Sequence, residues 1–334
     1  MEDPFIMTFE TSGTNATLTR ISKGTGDTSV FEIPETITAS GISYTVTAVT
    51  GLGSEASRLL EIIIPPTVTN IRGFEACLLL ETLTIKPGTS ALAIGLAVPA
   101  SGTSHAVGQF KKCNLTTVNV GRSLEYGYEK DYGDLYDPYV DKAKFDYTPF
   151  RNLTNFNITG SDIRIPAQMI PEVENLNISG QNVVIWALEH DEDIMGERID
   201  AGNIYAEEPF TTTGNVYGYV KNVYYKDFAT LLACKYNNYL WIRDIKMYVG
   251  GELLDKVTIP DGTIEIPDYA FYYTGITGLT LPASVKSIGK HAFYNTQLVS
   301  LNLNSTETIA EEAFANCDRL TTVDLGQNIT DIGD

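Results

Sequence analysis

The chain has 334 residues, 43% of them hydrophobic, and sets 42 acidic side chains against 23 basic ones for a formal charge of -19. Neutralising phosphates needs clustered Lys and Arg, so this balance excludes a nucleic-acid binder and an anionic-membrane binder. No run of 18 apolar residues occurs, so no transmembrane segment is read, and Met1-Glu2-Asp3-Pro4 lacks the basic and apolar regions of a secretory signal.

Residues 1–50 are rich in Thr, Ser and Gly, and the alternation Ile42-Ser43-Tyr44-Thr45-Val46-Thr47 predicts strands. They are expected to form an N-terminal β cap, because the end of a stacked array must present a polar outer face. Residues 51–186 read as a first repeat array. An apolar i, i+3, i+5 spacing recurs at Leu59/Ile62/Ile64, Leu80/Leu83/Ile85, Leu115/Val118/Val120, Leu153/Phe156/Ile158 and Val173/Leu176/Ile178. Successive starts lie 21, 35, 38 and 20 residues apart, which places one insertion after Lys86-Pro87-Gly88 and another after Gly121.

The last two apolar positions of each motif are two apart, the spacing of a short strand with alternate side chains turned inward. Pro65, Pro260 and Pro282 follow three of these strands directly and end them, having no N–H to donate. A second extended piece follows at Val68/Ile71, Val285/Ile288 and Ile329/Ile332, and the Phe-bearing segment after it is expected to make a short helical turn. Residues 187–250 form a degenerate aromatic junction in which Lys226–Cys234 fits a helix. Residues 251–334 read as a second array whose motif begins at Leu254, Ile276, Leu298 and Leu320, 22 residues apart each time. Ala270-Phe271, Ala292-Phe293 and Ala313-Phe314 keep a second register, and the array reads as truncated at its C-terminal end.

Cys77, Cys113 and Cys317 each fall three residues after a Phe, at Phe74, Phe110 and Phe314. The shared register points to buried thiols in a common slot, with a Cys77–Cys113 bridge and metal binding as the alternatives. No CxxC supports zinc.

Ile266-Pro267-Asp268-Tyr269-Ala270-Phe271, the run Leu281 to Phe293, and Phe314-Ala315-Asn316-Cys317-x-x-Leu320 resemble the BspA-type leucine-rich repeats of bacterial surface proteins. The likeness covers 251–334 well and 51–120 in part, and residues 31–49 resemble the segment that precedes such arrays. It implies a strand-rich α/β repeat protein: a right-handed leucine-rich-repeat solenoid with short strands on its concave side. It also implies secretion or surface display, with a signal peptide or lipid anchor outside this sequence, and no catalytic residues.

On that fold the residues between the inward apolar positions face solvent, among them Thr82, Thr84, Thr117, Asn119, Asn155, Asn157, Asn175 and Asn177. They read either as an Asn and Thr hydrogen-bonding ladder or as a polar binding groove without aromatic platforms. Tyr126, Tyr128, Tyr132, Tyr136 and Tyr139 gather in the second insertion among many acids. Tyr on a long loop gives wide amphipathic contact area, so these are candidate partner-binding residues; the alternative is that they pack the loop against the array. Asp131, Asp134, Asp137 and Asp141 are a weak calcium candidate without EF-hand order. The acids around His190 read as a solvated loop.

No GxSxG, HExxH or phosphate loop occurs, and His105, His190 and His291 form no spaced set, so neither an enzyme nor a cofactor is expected. The expected function is a monomeric, non-enzymatic, adhesin-like scaffold for a protein partner. Glycan capture is the alternative.

Overall fold

The computed structural model describes residues 5–25, 28–97, 107–108, 110, 112–127, 150, 153–166, 169–170, 173–186, 220–236 and 245–334. They fall into two compact units, one within Met1–Val173 and the other within Glu174–Ala187 and Tyr219–Asp334. Both are strand-rich, and the one α-helix among the described residues is Phe228–Ala233.

The first unit is built on a ladder of parallel strands taken in chain order: Val30–Glu32, Glu61–Ile64, Thr82–Ile85, Thr117–Val120 and Leu153–Ile158. Each rung turns its motif residues inward, and Ile62, Ile64, Leu83, Ile85, Val118, Val120, Phe156 and Ile158 are buried. The alternate residues stay half-buried, so the burial repeats with the period of two that a pleated strand imposes. The first rung, Val30–Glu32, lies within residues 1–50, so the N-terminal segment supplies part of this ladder.

A second ladder flanks the first. Phe5–Ser12 and Asn15–Lys23 form an antiparallel hairpin with Gly13 at φ 59°. Asn15–Lys23 then pairs in parallel with Ile42–Val49, which pairs with Asn70–Ile71 and so with Leu92–Ala97. The first insertion extends this ladder through Val107–Gly108, antiparallel to Leu92–Ala97, and the start of the second adds Leu124–Gly127, parallel to it.

Where the turns cross between ladders the backbones nearly touch. A Cβ on Gly121 would meet Pro87 N at 2.6 Å, and one on Gly160 would meet Gly121 O at 2.3 Å. Only glycine fits there. The next residue, Arg122, is fully buried and donates to the carbonyls of Pro65 at 2.9 Å, Val68 at 2.6 Å and Pro66 at 2.5 Å. Burial lowers its pKa to about 10, and the three carbonyls partner its two terminal nitrogens while Nε is buried without one.

In the second unit Val220–Tyr225 is a ladder neighbour of Val173–Ile178 and pairs in parallel with Lys246–Val249. The helix Phe228–Ala233 lies within the expected Lys226–Cys234. Asp227 caps it, accepting from Thr230 N at 2.7 Å and Thr230 Oγ1 at 2.8 Å, and these bonds lower the Asp227 pKa. After Lys246–Val249 the chain reverses through Gly250 and Gly251, at φ 60° and 87°, into the antiparallel strand Glu252–Leu253. Paired positive φ values at two glycines are what a two-residue hairpin requires.

From there the rungs shorten to three residues: Lys256–Thr258 pairs with Gly278–Thr280, and Ser300–Asn302 with Thr322–Asp324. A flanking ladder joins Glu265–Ile266, Ser287–Ile288, Thr308–Ile309 and Asp331–Ile332. Phe271, Phe293 and Phe314 stack between turns with centroids 5.0 and 5.2 Å apart and planes within 6° and 2° of parallel.

The Phe-bearing segments are turns, not the expected helical turns. Tyr269, Tyr273, His291 and Asn295 all have φ between 51° and 59°. The N–H groups of Tyr269, Phe271 and Tyr273 reach the carbonyls of Lys290, Ala292 and Tyr294 in the next turn and alternate with those of Ala270, Tyr272 and Thr274, which bond back three residues to Pro267, Tyr269 and Phe271.

Candidate functional site

The outward residues of the long rungs form two columns. In the first unit Thr82, Thr117 and Asn155 align in one, and Ile63, Thr84, Asn119 and Asn157 in the other. A side-chain relay runs along the second: Asn157 Nδ2 donates to Asn119 Oδ1 at 2.7 Å, Asn119 Nδ2 to Thr84 Oγ1 at 3.1 Å, and Thr84 Oγ1 to Glu61 Oε1 at 3.2 Å. An amide has donors and acceptors enough to pass such a chain along. Side-chain hydrogen bonds thus join Asn157, Asn119, Thr84 and Glu61.

The second unit continues the pattern with different chemistry. Asn222 Nδ2 donates to Asn175 Oδ1 at 2.9 Å, while Asn222 pairs with Lys246 and Tyr224 with Tyr248 across the two rungs. The Tyr224 and Tyr248 rings stack at 4.4 Å with planes 13° apart. Desolvation, and then the neighbouring Tyr248, raise the Tyr224 pKa. Leu253 pairs across the hairpin from Tyr248 and is 52% exposed. Directly paired residues share one face of a sheet, so an aromatic pair and an apolar side chain stand together beside amides and a lysine.

Sequence reasoning missed Tyr224, Tyr248 and Leu253. The rung spacing survives at Val220, Val223 and Tyr225, all buried, but an aromatic fills the last slot and disguises it. Of the candidates drawn from the sequence, Asn155, Asn157, Asn175 and Asn177 occupy half-buried outward rung positions. Tyr126 lies in the strand Leu124–Gly127, where it pairs with Ile94. Tyr128, Tyr132, Tyr136, Tyr139, Asp131, Asp134, Asp137, Asp141, His105 and His190 lie outside the described residues. Among the described residues no three of His, Cys, Asp and Glu come together as a metal site.

The four cysteines are free thiols, with Cys77 and Cys234 buried and Cys113 and Cys317 half-buried. The shared slot is real: Cys113 Sγ lies 3.6 Å from Phe74 O and Cys317 Sγ 3.2 Å from Phe293 O, each a Phe carbonyl of the preceding turn. Burial pushes the Cys113 thiol up to about 12 and raises Cys77 further, so neither is a ready nucleophile. His291 packs among Tyr269, Tyr272 and Tyr294. Glu312 Oε2 lies 3.2 Å from His291 Nδ1 without the alignment of a hydrogen bond, and burial holds the imidazole pKa below its ordinary value.

Residues 246–334 match the family described as BspA type leucine rich repeat region, in six copies. No curated protein matches the sequence. Three solved structures are similar over nearly the whole chain. A leucine-rich repeat protein from Bacteroides ovatus is 19% identical over 99% of this chain and 89% of its own, with a TM-score of 0.29. The pneumococcal vaccine antigen PcpA is 15% identical over 99% and 76%, with a TM-score of 0.31. A leucine rich cell surface protein from Faecalibacterium prausnitzii is 16% identical over 97% and 94%, with a TM-score of 0.29.

Proposed function

Starting from a chain whose residues 246–334 are BspA-type leucine-rich repeats, we propose a non-enzymatic, secreted or surface-displayed scaffold that binds a protein partner. Its architecture in this reading is a right-handed leucine-rich-repeat solenoid, with the outward columns of the rungs as the contact face. The observation that carries it is the stacked Tyr224–Tyr248 pair beside exposed Leu253. Tyr is among the residues in which binding energy concentrates at interfaces, and an exposed Leu beside it gives the apolar centre that a polar rim can enclose.

Glycan capture is the weaker reading. Sugars pack on open aromatic faces, and at 4.4 Å these two rings each spend a face on the other. Tyr126, Tyr128, Tyr132, Tyr136 and Tyr139 of the insertion are proposed as a second contact element on chemistry alone.

The test is binding of the intact chain to a panel of immobilised extracellular proteins and a panel of immobilised polysaccharides. Saturable binding to a protein, lost when Tyr224 and Tyr248 become Ala, is the expected result. Binding confined to polysaccharides would replace this reading with glycan capture, and protein binding untouched by the two substitutions would move the site elsewhere.

A further inference from the structure

The geometry points to an acidic, extended peptide segment of the partner as the occupant of the rungs Val220–Tyr225 and Lys246–Val249, anchored at the Tyr224–Tyr248 stack and steered by Lys221 and Lys246. This deepens the protein-binding reading and rests on it.

Charge is the first argument. The chain carries -19 overall, yet between Tyr219 and Val249 the basic residues Lys221, Lys226, Lys235, Arg243 and Lys246 outnumber the acids Asp227 and Asp244. Two rung positions that hold Glu61 and Glu81 in the first unit hold Lys246 and Lys221 in the rungs Lys246–Val249 and Val220–Tyr225. Lys221 and Lys246 are exposed, and neither is ion-paired among the described residues. Lysines kept single in so acidic a protein are available to an incoming carboxylate, and they also hold off other copies of this chain less than its acids would.

Shape and polarity are the second. Lys246, Tyr248 and Leu253 lie on one face, with Lys246 opposite Asn222 and Tyr248 between Tyr224 and Leu253. Neighbouring rungs are about 4.8 Å apart, so a segment laid across them meets a lysine, an amide and an aromatic edge in turn. The rings spend one face each on the other and their hydroxyls bond to one another, so what they offer a ligand is mainly ring edge, a poorer match for a sugar face than for peptide side chains. Glu174 is exposed at the position equivalent to Lys221 one rung earlier, so the segment's acids belong at the Lys246 end.

The experiment is selection of a displayed random-peptide library on the intact chain, followed by affinity measurements with the enriched peptides. Enrichment of Asp and Glu over the starting library is expected. Affinity should fall on the order of thirtyfold for the double change Tyr224→Ala and Tyr248→Ala. It should fall about tenfold or more for Lys221→Glu with Lys246→Glu, and weaken as salt is raised. Thermal unfolding of each variant separates lost binding from lost fold, and the exposed lysines make the second variant safe in that respect.

Peptides without acidic bias, or affinity indifferent to the lysine reversal, would overturn the acidic partner while loss on the Tyr changes keeps the protein-binding reading. Affinity indifferent to the Tyr changes would overturn this peptide site and move the protein contact elsewhere, and a library that yields no binder would overturn the extended-peptide occupant, leaving the immobilised-protein panel to decide the protein-binding reading.

Discussion

The long rungs, such as Leu153–Ile158 and Val220–Tyr225, and the three-residue rungs from Lys256 onward use the same inward apolar logic and opposite outward habits. On the long rungs the outward side chains are half-buried and joined, through Asn157–Asn119, Asn222–Asn175 and Tyr224–Tyr248. On the short ones Lys256, Thr258, Ser300, Asn302, Thr322 and Asp324 are exposed and share no side-chain hydrogen bond, while one position earlier Thr277 Oγ1 donates to Asp255 Oδ1 at 2.6 Å. Where every turn repeats, the outward rung positions are bland and the side-chain bonds between turns lie off them, as at Lys286–Glu307 and Lys290–Glu311. Where the period breaks, the outer positions hold the rungs together and acquire chemistry.

The sharpest way to break this contrast is in the regular array's core. Phe293→Ala removes the middle ring of the Phe271–Phe293–Phe314 stack and should cost about 3 to 5 kcal/mol, seen as a lowered midpoint in denaturant. Gly160→Ala attacks the irregular part instead: its Cβ would lie 2.3 Å from Gly121 O, and the overpacking should cost about 1 to 3 kcal/mol. Tyr248→Ala should cost only about 0.5 to 1.5 kcal/mol of stability through the lost ring pair, so a large fall in binding with a small fall in melting temperature would mark the site as contact surface.

Acid should single out the regular array. The His291 pKa is held below its ordinary 6.5 by burial, so the folded state binds fewer protons than the unfolded state in the window just beneath that value. Stability from this group is complete above pH 6.5 and falls as pH falls through the folded pKa. His291→Gln should flatten that slope in melting curves taken from about pH 7 to about pH 5. The smallest contrast is between amides and hydroxyls: Asn157→Ala should cost about 1 kcal/mol for its cross-rung bond, whereas Ser300→Ala should stay within about 0.5 kcal/mol. Equal costs would erase the distinction between joined and bland faces.

The inward pattern was legible because burial follows spacing directly: Leu59, Ile62 and Ile64 are all fully buried, as are Phe271 and Phe293 of the Phe register. The flanking strands Asn70–Ile71 and Ser287–Ile288 also follow from their apolar pairs. The insertion after Gly88 reads as a loop in sequence, yet Leu92–Ala97 completes a ladder, because the unpaired edge of Asn70–Ile71 rewards any extended segment that reaches it. Tyr224 and Tyr248 were illegible for a different reason. They stand 24 positions apart in the chain, and no local spacing reports which outward residues a ladder will bring face to face.

The left-handed residues that close each turn, Tyr269 then His291 then Glu312, and Tyr273 then Asn295 then Asn316, recur in the same place and hand their neighbours the same backbone bonds. Every junction in this array is therefore interchangeable with the next. A whole turn copied into it would meet familiar partners above and below, while a partial one would shift Phe271, Phe293 and Phe314 out of line. Reach is thus a quantity this architecture can change in discrete steps without redesigning its interior.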